Sequence, residues 1–90
     1  MTKKQMTEEL NKRLTEMVEI WKFEITQMIK FGKPVDDIRY RSNEYSARVA
    51  GFLRAVNVIV EPQVYDMWSI LHRDYLERAN TAIEEYSKKK

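Results

Sequence analysis

Cysteine is absent from this chain of 90 residues, which removes disulfides and thiolate metal sites from the means of holding a small domain together. Histidine occurs once, at His72, so zinc would depend on that ring and on carboxylates, a poor structural set. No metal, no cofactor and no catalytic residue is expected. Long apolar runs are missing as well. The longest, Ala55 to Val60, is interrupted by Asn57 and is far shorter than the ~20 residues that span a bilayer. Met1 to Arg13 is polar and charged, without the apolar stretch of a secretory signal. These absences set the expectation of a soluble cytoplasmic protein, and a reducing compartment suits a chain without cysteine.

A strong charge of one sign is also lacking. Sixteen basic and fourteen acidic residues leave a net charge of +2, and both signs are mixed along the chain. Nucleic-acid binders usually gather basic charge on one face. Ninety residues make one domain at most, and a domain of that size buries a modest share of its unfolded surface. With no cross-link and no metal, association is the remaining aid to stability.

Glycine and proline occur only twice each, so the few breaks are informative. Phe31-Gly32-Lys33-Pro34 reads as a helix stop, glycine just past the end and proline beyond it. Pro62 suits the first turn of a new helix. Three helices are predicted, over about 7–31, 36–60 and 62–86, with a basic tail at 87–90. In the first, Thr7 is the expected cap, followed by Glu8 and Glu9. Leu10, Leu14, Met17, Val18, Trp21, Ile25, Met28 and Ile29 form its apolar stripe at about 100° per residue. Asp36 could cap the second helix, or Ser42 or Asn43 a shorter one. The third carries Val64, Trp68, Leu71, Tyr75, Ala79, Ala82, Ile83 and Tyr86 on its stripe. Val56 to Val60 is rich in β-branched residues, but one short strand without a partner makes no sheet.

The second helix has two packable sides. Tyr45, Val49, Phe52, Leu53, Val56 and Ile59 make one. Ala47, Gly51 and Ala55, spaced four apart and with Val58 nearby, make the other. A surface helix needs a single apolar stripe, whereas small residues at every fourth position let another backbone approach closely. Phe23, Met67 and Ile70 are apolar residues off their stripes and join this set as expected contact surface.

Other chemistry is weaker. Arg39, Arg41, Arg48 and Arg54, with Tyr40 and Tyr45 nearby, could hold phosphates and stack bases. At helical spacing, however, Arg54 points away from Arg41 and Arg48. His72 is expected to be a partly buried ring satisfied by a carbonyl or carboxylate. Lys33-Pro34-Val35-Asp36-Asp37-Ile38-Arg39 resembles the turn before the second helix of the small all-helical chorismate mutases. That resemblance implies three helices and an intertwined dimer. The family's arginine–glutamate pair after the turn falls on Tyr40 and Arg41, and its substrate-binding lysine and mid-helix arginine fall on Met28 and Met17. A dianionic substrate needs those cations, so mutase activity is not expected. Val64 to Leu76 resembles the helix that precedes the DNA-reading helix of sigma-factor-like phage regulators, but without the sharp glycine turn that follows there.

The reading is an all-α, three-helix antiparallel bundle that self-associates. It is non-enzymatic and acts through protein–protein contacts as an inhibitor, adaptor or assembly factor of bacterial or phage type. A nucleic-acid-binding accessory is the second reading, and a mutase-like enzyme the third.

Overall fold

The computed structural model describes residues 2–89 and contains three helices: α1 (Lys3–Lys30), α2 (Val35–Val56) and α3 (Pro62–Lys88). No strand occurs among the described residues, and each helix packs against both others. No helix among these residues is long and apolar enough to cross a membrane.

The first helix begins four residues before the expected start. Thr2 is the cap: its hydroxyl accepts from the Gln5 backbone N–H at 3.1 Å, and the Gln5 side chain accepts from the Thr2 N–H at 2.9 Å. This reciprocal pair satisfies two helix-end donors at once. Thr7 is therefore interior, where its hydroxyl donates to the Lys3 carbonyl. The far end stops at the predicted place. Gly32 adopts φ +67°, a left-handed conformation that glycine enters without the Cβ clash. Its N–H donates to the Ile29 carbonyl and that of Lys33 to the Met28 carbonyl, which closes the helix end.

The second helix starts at Val35 with Pro34 at its cap position, and no side chain caps it. Asp36 and Asp37 sit in its first turn, where the helix dipole favours negative charge. It ends at Val56, four residues short of the expected boundary. Residues 57–59 form a turn in which the Val56 carbonyl accepts from the N–H groups of both Ile59 and Val60. The β-branched run thus forms a turn that buries Val56 and Val60 and exposes Val58 and Ile59. Pro62 opens α3. The expected basic tail is helical through Lys88, and Lys90 lies outside the described residues.

One core joins the three helices: Leu14, Val18, Trp21 and Ile25 from α1, Ile38, Val49, Leu53 and Val56 from α2, and Trp68, Ala79 and Ile83 from α3. The α3 stripe is rotated from its predicted position. Tyr65 and Leu76 pack against the core, whereas Leu71 and Ala82 are exposed. The helix turns toward α2, which engages His72. Trp21 is fully buried and meets both neighbours. Its indole N–H donates to Ser42 Oγ of α2 at 3.0 Å, and its ring meets Tyr75 of α3 edge-on with centroids 4.5 Å apart. Ser42, read as a cap from the sequence, is instead a fully buried acceptor in mid-helix. Ser42→Ala leaves that indole N–H without its partner and is expected to destabilise the fold by about 1–3 kcal/mol in denaturant titration, against near-neutrality were the N–H solvated.

Candidate functional site

The outward face of α2 is set by its inward one. Ile38, Ser42, Val49, Leu53 and Val56 point into the core, and Ala47, Gly51 and Ala55 fall on the opposite side, all exposed. A Cβ built on Gly51 meets nothing within 4 Å. Within the chain, then, no backbone approaches the small-residue side. Val58, in the turn just beyond the helix, is 88% exposed.

The remaining off-stripe residues are exposed too: Phe23 65%, Met67 61% and Ile70 62%. They do not converge. At 100° per residue, Phe23 lies about 170° round α1 from the centre of its buried stripe, and Ile70 about 175° round α3. Met67 and Ile70 lie one turn apart on α3 and Phe23 lies on α1, so these residues and the α2 set occupy three separate faces. Between α1 and α2, Met17, Ile20, Tyr45 and Arg48 line a small apolar depression that the sequence reading did not single out. Met17 was placed on the α1 stripe and Tyr45 on the α2 stripe. What joins them is the packing of the two helices, and no local pattern records it.

The four arginines are dispersed. Arg39 pairs with Glu84 of α3 at 3.1 Å. Arg41 lies 3.7 Å from Glu24 of α1 and 3.7 Å from Glu44. Arg48 lies 3.7 Å from Glu44 and sits over the Tyr45 ring. Arg54 alone among them has no ion pair among the described residues, and Tyr40 stands exposed apart from any ring partner. The turn that resembles the mutases forms a shallow depression with Glu24, Met28, Lys33, Asp37, Tyr40 and Arg41. Two carboxylates face any anion there, and Arg41 is engaged by glutamates.

His72 is half-buried, with Nε2 2.9 Å from Ser46 Oγ and its ring 6.0 Å from that of Trp21. Its side-chain partner is a hydroxyl, and the backbone of the same serine also hydrogen-bonds the ring. Burial lowers its pKa below 6.5, opposed by the Ser46 backbone. Burial, and then the charge of Glu19, raises that of Tyr75. No group of three or more His, Cys, Asp or Glu side chains among the described residues is placed to hold a metal ion.

Compared with protein-family models, with curated proteins and with solved structures, the chain matches none.

Two outcomes follow from this geometry. As pH falls through 6.5, the unfolded chain binds a proton at His72 before the folded one does, so folding loses stability down to the folded pKa. Melting temperature should decline as pH falls through 6.5, and His72→Gln should flatten that decline. An equal decline in both proteins would place the titrating group elsewhere. Within one chain Gly51→Ala fills empty space in an exposed helix interior, so denaturant titration at low protein concentration should show a gain of about 1 kcal/mol, where a loss would reveal a close neighbour inside the chain.

Proposed function

We propose that this protein works by protein–protein contact and not by catalysis: a bundle in which α2 runs antiparallel to α1 and α3, which associates with copies of itself and serves a protein partner as a cytoplasmic inhibitor, adaptor or assembly factor. The observation that carries this reading is the surface left uncovered. The molecule measures 50 × 18 × 14 Å, with a radius of gyration of 14.8 Å. A compact chain of this length has about 12 Å. Its accessible surface is 6372 Å², against about 5,500 Å² for a compact monomer of this mass. Large apolar side chains contribute to that surface, Ile20, Phe23, Phe31, Val58, Met67 and Ile70 each being more than half exposed. Two pairs of them, Ile20 with Phe23 on α1 and Met67 with Ile70 on α3, lie one turn apart and make contiguous apolar area, the kind that marks interaction sites.

The antiparallel course is supported by contacts between ends. Lys3 pairs with Glu61 where α1 and α3 begin. The Tyr86 hydroxyl, near the end of α3, donates to the Lys33 carbonyl just after α1. Glu24 and Arg41 approach each other across the α1–α2 turn. A non-catalytic role accords with the engagement of the reactive groups in structure: His72 is held by Ser46, and Arg39, Arg41 and Arg48 by carboxylates. Those pairs also occupy three of the four cations a nucleic-acid role would use.

Light scattering over a concentration series tests the self-association. The expected mass rises above the 10.8 kDa of one chain. A constant single-chain mass at every concentration, together with recovery of the protein alone from its native host, would overturn the reading.

A further inference from the structure

We infer that α2 pairs antiparallel with α2 of a second copy along a seam of Tyr40, Glu44, Ala47, Gly51, Arg54 and Val58. This deepens the self-association reading and rests on it. These six residues are spaced alternately four and three apart, the heptad period of paired helices. Five of them lie on the side of α2 away from Ile38, Val49 and Leu53, and Val58 follows in the turn beyond its end, so the fold of one chain leaves them uncovered. Five are exposed, including Tyr40 at 72%, and Glu44 is half-buried. The centre of the seam is Ala47 and Gly51. Side chains that small let two helices approach closer than the usual 8–10 Å.

Charge identifies the occupant. A two-fold axis crossing α2 at residue 49 sets Ala47 against Gly51 of the second copy and Glu44 against Arg54, and it brings Tyr40 toward the turn that carries Val58. Each contact then occurs twice, as a closed two-fold interface requires. Both helical pairs are complementary in one register: small with small, and acid with base. A parallel pairing would oppose Glu44 to Glu44 and Arg54 to Arg54. Arg54 has no ion pair among the described residues, and Glu44, 3.7 Å from both Arg41 and Arg48 in its own chain, exchanges those long pairs for Arg54 of the second copy. A charged pair within such a seam selects register and direction. The helical part of the seam, Tyr40 to Arg54, is only about 21 Å long at 1.5 Å per residue, so the dimer is concentration-dependent and at the small end of specific interfaces.

Charge reversal tests this directly on the full chain, by sedimentation velocity at low salt across a concentration series. Glu44→Arg places two arginines together at each contact and Arg54→Glu two glutamates, so each variant should associate about tenfold more weakly than the parent. Mixed in equal amounts, they form a heterodimer with both contacts restored, and the double variant recovers self-association. Gly51→Leu should be monomeric with an unchanged or higher melting temperature. Melting curves of every variant establish that each is folded. Association that ignores the single reversals, or that mixing does not rescue, overturns the seam while self-association stands. A parent that is monomeric at every concentration overturns both.

Discussion

A buried indole has one N–H and no way to satisfy it alone, and the bundle depends on how that constraint is met. Trp21 is fully enclosed, and α2 supplies its acceptor from Ser42, itself fully buried. A hydrogen bond between two mid-helix side chains fixes the register of α1 against α2 more narrowly than apolar contact, which tolerates sliding. The same ring receives Tyr75 edge-on from α3, an arrangement worth about 0.5–1.5 kcal/mol beyond area burial. One turn along α2, Ser46 meets His72 of α3. Two serines four residues apart therefore serve both neighbours of α2, and no buried side-chain polar atom among the described residues lacks a partner.

The charged residues act differently. The ion pairs are exposed and mostly long, and pairs of that kind contribute about 0–1 kcal/mol each. Their value is directional: Lys3 with Glu61 and Arg39 with Glu84 join different helices at opposite ends of the molecule. Stability comes from the apolar core and the two serine contacts, while the surface charges bias which helix ends meet. Arg54, like Arg13 and Arg73, has no ion pair among the described residues.

Local rules made much of the fold legible. Gly32 and Pro34 stop a helix by conformation and Pro62 starts one, and the 3.6-residue period located most of the buried side chains of α1 and α2. What escaped the sequence depends on partners far along the chain. Ser42 looks like a cap because serine favours caps, and only the burial of Trp21, 21 residues earlier, makes it an acceptor. The His72–Ser46 contact is of the same kind. The start at Lys3, by contrast, is locally legible: Thr2-x-x-Gln5 is a capping-box pattern, and its reciprocal pair carries the helix back past Thr7. Of the candidate surface, exposure was legible residue by residue. The dispersal of Phe23, Met67 and Ile70 over separate faces was not, because it follows from where the neighbouring helices lie.

The two sides of α2 divide the work of the chain. Its inner side is committed to folding. Its outer side carries a glycine in mid-helix, which costs about 1 kcal/mol relative to alanine, and nothing within the chain offsets that cost, since a Cβ there meets only open space. A glycine is of use in a helix where its missing side chain admits something. Inside one molecule nothing enters, so any compensating contact at Gly51 comes from outside it. The flanking order of Tyr40 and Glu44 before the small pair, and Arg54 and Val58 after it, matches its own reversal, and the proposed pairing with a second copy rests on that property.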